Sequence, residues 1–252
     1  MLVRGSYKIV PIEDMGGGSF GFVQKVELYN QKDHLCGLFA MKTMKSNARE
    51  IESFRKRFVR EGHLQAKCSH PNIVQIYICD LESVEPWFVM ELGEIDVEKL
   101  IINGKFPNKE RLKCILDLLL GMIHIHQQKL LHRDIKPSNM VKVGDKYKIA
   151  DFGLVKDTVS SPETTPLTAI GQGMGTPGFL APEAVFGHFS DQSDIYAIGT
   201  FLEYMCYLDD ELARKLAPII NKCRAHVPSD RYQSVNQILK IFLPIYEEGM
   251  NA

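Results

Sequence analysis

The chain has 252 residues, 45% of them hydrophobic and 24% charged, with a formal net charge of −1. That length buries a core without staples, and that balance excludes an extended disordered chain, a membrane-embedded one and a strongly basic nucleic-acid binder. The six cysteines, Cys36, Cys68, Cys79, Cys114, Cys206 and Cys223, form no C-x-x-C pair and have no histidine at zinc-ligand spacing. They are expected as reduced core thiols of a cytoplasmic chain, which carries no signal-peptide pattern and no apolar run long enough to span a bilayer.

In chain order, "YKIVPIEDM" from Tyr7, "FGFVQKVELYN" from Phe20 and "LCGLFAMKTMK" from Leu35 read as strands, the first two separated by a glycine cluster. From Ala48 the period changes: Ile51, Phe54, Phe58, Glu61, Gln65 and Cys68 fall near one stripe of a 3.6-residue helix, which puts a carboxylate on its inward face. "RKRFVR" from Arg55 is the solvated side of that helix rather than a phosphate-backbone site. The proline of "HPN" at 70–72 ends the helix. Strands resume at "IVQIYICD" and "EPWFVMEL", followed by a connector from Gly93. Beyond it the pattern is helical, with Leu112, Ile115, Leu116, Leu119 and Ile123 as an apolar stripe. Later helices are expected in "DIYAIGTFLEYMCY", "ELARKLAPIINKCR" and "SVNQILKIFLPIY", after a long loop from Gly153 to Gly178.

Three stretches carry chemistry. In "GGGSFG", Gly16, Gly18 and Gly21 fit G-x-G-x-x-G, but a β-rich segment follows, so the context favours a hairpin laid over phosphates rather than a dinucleotide turn. In "FAMK", Lys42 ends an otherwise apolar strand and needs a partner, which Glu61 can supply. In "HRDIKPSN", Asp134 can deprotonate a hydroxyl, Lys136 can offset transferring-phosphoryl charge, and Asn139 can offer an amide oxygen to magnesium; "DFG" adds Asp151 as a second magnesium ligand.

Together with "GTPGFLAPE" from Gly175, "SDIYAIG" and a late Arg231, these motifs in this order resemble the eukaryotic-type protein kinase domain, over residues 7 to about 245. The resemblance implies an α+β fold of two lobes: a small antiparallel β-sheet N-lobe of about residues 1–90, a hinge of about 91–95, and a mainly helical C-lobe of about 96–252, all one domain. It implies ATP and Mg2+, with Lys42 on the α- and β-phosphates, Glu61 as its pair, Asp134 as catalytic base, Lys136 beside it, and Asn139 and Asp151 on the metal. Met15, Gly16, Gly17, Gly18, Ser19, Phe20 and Gly21 would cover the phosphates. Val23, Ala40 and Val141 would sandwich adenine, Met90 would stand behind it, and backbone groups of Glu91 to Gly93 would bond its edge. Glu183 would pair with Arg231, and Asp194 would brace the catalytic loop. Lys136 with Thr176 resembles serine/threonine enzymes, so the partner implied is a protein with a Ser or Thr acceptor.

Two departures stand out. The family usually has an apolar residue four places after the helix glutamate, stacking with Phe152 and His132; here it is Gln65. Gly62 weakens the same helix by about 1 kcal/mol relative to alanine. Both lead to the expectation of a loosely held helix set by an activating partner or a homodimer contact. The chain is also short after "SDIYAIG", so the helix that usually follows the long buried one is expected to be missing or reduced around Tyr207 to Asp210. Two other classes share the fold: a pseudokinase, which the presence of Lys42, Asp134, Asn139 and Asp151 argues against, and a small-molecule kinase, which "GTPGF" and "APE" argue against.

Arg133, by the same resemblance, pairs with a phosphate on the long loop, where Ser160, Ser161, Thr164, Thr165 and Thr168 are candidate acceptors and incidental hydroxyls the alternative. Mass spectrometry of the purified active protein is expected to find phosphate on at least one of them. A wholly unmodified loop would remove this form of regulation.

Overall fold

The computed structural model describes residues 2–4, 7–18, 21–46, 51–158, 176 and 178–251. The chain divides into two units, one of Met1–Ser69 and Val74–Glu94, the other of His70–Ile73 and Ile95–Ala252.

The first unit is an antiparallel sheet with one described helix. Strands β1 (Leu2–Arg4), β2 (Tyr7–Gly17), β3 (Gly21–Asn30), β4 (Leu35–Met44), β5 (Ile76–Asp80) and β6 (Trp87–Met90) are ordered β1-β2-β3-β4-β6-β5, and helix α1 (Glu52–Lys67) lies between β4 and β5 in sequence. Alternation along the strands gathers Ile9, Val26, Leu28, Met41, Trp87 and Val89 into one cluster. It turns Met44 and Phe88 to the other face, where Phe58 of α1 and Leu81 join them. The pairing of β2 with β3 shifts register between Pro11 and Glu13, next to the residue that has no N–H to give the ladder. β2 runs through Gly17, where an added Cβ would lie 2.4 Å from the Gly21 carbonyl oxygen, so only glycine lets the returning strand pass.

The second unit contains β7 (Ile95–Asp96), α2 (Val97–Ile102), α3 (Asn108–Gln127), β8 (Leu130–Leu131), β9 (Met140–Val143), β10 (Lys146–Ile149), β11 (Lys156–Asp157), α4 (Asp191–Met205), α5 (Asp210–Cys223) and α6 (Val235–Asn251). The short strands form a sheet ordered β10-β9-β7 and a β11-β8 pair. Three 3-10 turns, Pro137–Asn139, Pro182–Phe186 and Pro228–Asp230, each begin with a proline, whose fixed φ suits the first turn of a helix. The core residues of α3 include Cys114, Ile115, Leu118, Leu119, Met122 and Ile125. Among the described residues no helix is long and apolar enough to cross a membrane.

Several expectations need correction. Ile51 is 44% exposed because it precedes the first helical turn with extended backbone, outside the period of the helix. Leu116 and Ile123 are only half-buried, since α3 is enclosed over more than one stripe. All six cysteines are free, but only Cys68, Cys114 and Cys223 are core residues; Cys36, at the start of β4, and Cys79, on the edge strand β5, are exposed. β1, α2 and the strands from β7 to β11 were not expected, being too short to show a period. The missing helix is as expected: α4 ends at Met205 and α5 begins at Asp210. Arg111 closes that junction, its buried guanidinium donating to the carbonyls of Met205 (2.7 Å) and Tyr207 (2.8 Å) at the negative end of α4, and its Nε to Phe106 (2.7 Å).

Buried charges join the second unit together. Arg231, 2% exposed, uses every guanidinium N–H: two on Glu183 (2.8 and 2.9 Å) and one each on the carbonyls of Gln192, Ala225 and His226. Asp194, in the first turn of α4 and 1% exposed, accepts the backbone N–H of His132 and of Arg133, both at 2.9 Å, and meets His126 Nε2 at 2.9 Å. Burial pushes His126 down, but the hydrogen bond and charge of Asp194, with Asp191 adding to them, outweigh it and raise its pKa above the ordinary 6.5. Burial likewise pushes Asp194 up, but the hydrogen bond and charge of His126 and the Arg133 N–H hold it below the ordinary 3.8. The histidine's contribution to stability is therefore full below 6.5 and lost as pH rises through its raised value, while the aspartate's is present above 3.8 and lost as pH falls through its lowered value. The difference in Tm between the native protein and His126→Gln is expected to be widest between pH 3.8 and 6.5 and to narrow above that window. A gap that stays constant up to pH 9 would mean that the histidine carries no charge in the fold.

Candidate active site

In the first unit, strand register sets Val23, Lys42 and Phe88 side by side, and Lys25, Ala40 and Met90 side by side two residues along. Val23, Ala40, Lys42 and Met90 thus share one face of the sheet. The Lys42 ammonium donates to Glu61 Oε1 of α1, with the two side chains only 15% and 5% exposed. Neither charge could stay in that setting alone. Just past β6, the Glu91 N–H donates to the Gln75 carbonyl (3.0 Å), and the Glu91 carboxylate accepts the Gln75 N–H (2.9 Å). Gly93 follows two residues on. Near the end of β2, before the tip of the β2–β3 hairpin, Gly16 takes φ +99° and Met15 is 46% exposed. Gly17, Gly18 and Gly21 flank the tip, while Ser19 and Phe20 lie outside the described residues.

In the second unit, "HRDIKPSN" forms a tight polar cluster around Asp134, which is 8% exposed. Lys136 Nζ lies 2.8 Å from Asp134 Oδ2, and Asn139 Nδ2 donates to the same oxygen and to the Asp134 carbonyl, each at 2.9 Å. Lys136 Nζ also donates to Thr176 Oγ1 at 2.9 Å, and that hydroxyl lies 3.4 Å from Asp134 Oδ1. The carboxylate is fixed by opposite charge and hydrogen bonds, as a proton acceptor with a defined direction must be. His132 is fully buried, and burial holds its imidazole below the ordinary range despite the nearby Asp194, Asp134 and Asp151. It is the neutral form, able to accept the Asp134 N–H at Nδ1 (3.4 Å).

Asn139 and Asp151 are brought together by the backbone: the Ala150 N–H donates to the Asn139 carbonyl at 2.8 Å. Both Nδ2 donors of Asn139 point at Asp134, which leaves its side-chain oxygen as the acceptor end. Asp151 has φ +58° and Arg133 φ +69°, a sparsely populated region that clusters at functional sites. Among the described residues no group of three or more His, Cys, Asp or Glu side chains could hold a metal by itself. One amide oxygen and one carboxylate suit a hard divalent cation that completes its shell with phosphate and water. Phe152 packs edge-on to His132, centroids 5.5 Å apart. Val141 lies in β9, paired with Lys148 of β10 and Asp96 of β7.

The Arg133 guanidinium stacks on the Phe189 ring, 3.7 Å from its centroid. Its expected phosphate partners, Ser160 to Thr168, lie outside the described residues. Phe189, His126 and the Gln75–Glu91 clamp carried no motif in the sequence; their partners are 16 to 68 residues away, beyond any local period.

The sequence profile of the protein kinase domain matches residues 9–239. The chain is 34% identical over 198 residues, 76% of its length, to the probable serine/threonine-protein kinase PknB of Lactococcus lactis, covering 30% of that protein. It is 30% identical over 79% of its length to the serine/threonine-protein kinase PrkC of Bacillus subtilis, again covering 30% of it. It is 27% identical over 93% of its length to the serine/threonine-protein kinase PknD of Protochlamydia amoebophila, covering 29%. The chain thus spans about a third of the length of these curated relatives. Domains of this family use ATP and a divalent cation. With the profile covering nearly the whole chain and the β-sheet and helical lobes both present, the chain belongs to the protein kinase domain family.

Proposed function

We propose that this chain transfers the γ-phosphoryl group of ATP to a Ser or Thr hydroxyl of a protein substrate. The observation that carries the proposal is the Asp134 cluster, in which a carboxylate is held by Lys136 and Asn139 with the Thr176 hydroxyl beside it. Asp134 orients the acceptor hydroxyl and takes its proton as the new phosphorus–oxygen bond forms and the bond to the β-γ bridging oxygen breaks. Lys136 offsets charge on the phosphoryl group in transit. Lys42, held by Glu61, binds the α- and β-phosphates, and the amides from Gly16 to Gly21 cover them. Val23, Ala40 and Met90, on one face of the first unit's sheet, would hold adenine, with its edge on the backbone from Glu91 to Gly93. Asn139 and Asp151 would hold Mg2+, which would supply neutralisation of phosphate charge.

The acceptor class follows from Thr176, whose hydroxyl is bonded to Lys136 next to the base, as in serine/threonine enzymes. The segment from Gly178 supports a protein acceptor: Phe179 packs on Tyr204, centroids 5.0 Å apart, which fixes a segment that would carry a peptide. Free cysteines fit a reducing compartment, so we place the domain on the cytoplasmic side.

Incubated with radiolabelled ATP, Mg2+ and a protein acceptor, the native chain is expected to yield phosphoserine or phosphothreonine. Asp134→Asn lowers kcat by about a hundredfold or more, chelation of the metal abolishes transfer, and Asn139→Ala raises the Mg2+ concentration needed. Label found only on a small metabolite, or an Asp134→Asn protein as active as the native one, would overturn the assignment.

A further inference from the structure

Gln65 sits where an apolar residue was expected, and it is 1% exposed. A buried carboxamide without partners is costly, so its contacts matter. Its Nε2 donates to the Val74 carbonyl oxygen at 2.9 Å. That carbonyl belongs to the peptide unit whose N–H, on Gln75, donates to the Glu91 carboxylate at 2.9 Å. One peptide group is therefore gripped at both ends, by the helix that carries Glu61 and by the residue that follows β6. The Glu91 N–H returns to the Gln75 carbonyl at 3.0 Å, so the clamp on the strand side has two points. Hydrogen bonds in series polarise one another, and each end stiffens the other.

α1 is held at other points too. Arg55, nearer the helix start, donates to the carbonyls of Ser83 (2.7 Å) and Glu82 (3.0 Å). At Gly62 an added Cβ would lie 3.1 Å from both Leu81 methyls, so the glycine lets the helix seat closely rather than merely weakening it. Apolar packing sets the depth of a helix but is not directional; a hydrogen bond from a side chain one turn beyond Glu61 fixes its rotation and its position along the axis.

We propose that Gln65 is a positioning residue: through the Val74–Gln75 peptide it ties the Lys42–Glu61 pair to Glu91, so that holding the phosphates and holding adenine depend on one another. The inference rests on the function proposed above, because it assumes that Lys42 and the Glu91 backbone bind the same nucleotide. It concerns a side chain that touches neither.

The test uses Gln65→Leu, which keeps the bulk and removes the donor, and Gln65→Glu, which donates only when protonated. Gln65→Leu is expected to lower kcat/KM for ATP by about tenfold and to weaken ADP binding, measured by calorimetry, by a similar factor. In a Glu61→Gln background the same change has little further effect, because the pair it positions is already gone. Burial raises the pKa of an introduced carboxyl, so Gln65→Glu is expected to be impaired at pH 8 and to recover relative to the native chain at pH 6. A side chain needed only for stability would lower Tm without this pH profile and without the non-additivity. Gln65→Leu within about twofold of native in both kcat/KM and ADP affinity, or losses that multiply independently with Glu61→Gln, would overturn the proposal. If Gln65→Leu fails to fold, the pH profile of Gln65→Glu decides. If the native chain binds ADP but transfers no phosphate, the proposed activity fails while ADP affinity still judges the relay.

Discussion

A carboxylate cannot be buried without partners, and Asp194 is buried almost completely. That constraint decides where the segment from His132 runs. Two successive backbone N–H groups, on His132 and Arg133, are its hydrogen-bond donors, and His126 supplies the third contact. A chain that satisfies two consecutive donors on one side chain must bend, and Arg133 takes positive φ as it does so. The residue presented next is Asp134. The cost of leaving Asp194 unpaired is what holds that unfavourable backbone in place.

The same constraint recurs wherever a charge leaves solvent. Arg231 meets it by saturating all five N–H groups on Glu183 and three carbonyls, which ties the Pro182–Phe186 turn and the start of α4 to the segment that follows α5. Arg111 meets it with main-chain carbonyls alone, and thereby closes the four-residue connection between α4 and α5. Lys42 and Glu61 meet it with each other. These groups contribute less by attraction than by excluding arrangements in which they would be unpaired.

Gln65 follows the rule for a neutral group. Its amide fixes a helix that apolar contacts alone would leave free to rotate, and Gly62 brings that helix against Leu81. The sequence-based grounds for a loosely held helix were an amide in an apolar place and a glycine in a helix; in the fold one is a bond and the other a close contact.

Much of this protein was legible before folding. Apolar-rich runs marked β2 to β6, the 3.6-residue period marked α1 and an apolar stripe α3, and the residue types in "HRDIKPSN" and "DFG" marked phosphoryl-transfer chemistry, because those signals are local and a few residues carry them. What only the tertiary structure decided are the contacts between distant positions: His126 with Asp194, 68 residues on; Gln75 with Glu91, 16 on; the guanidinium of Arg133 on Phe189; and the exposure of Cys36 and Cys79. No period or spacing encodes them, since a side chain's partner depends on which surfaces the strands and helices bring together, and burial is a property of the assembled layers rather than of the residue.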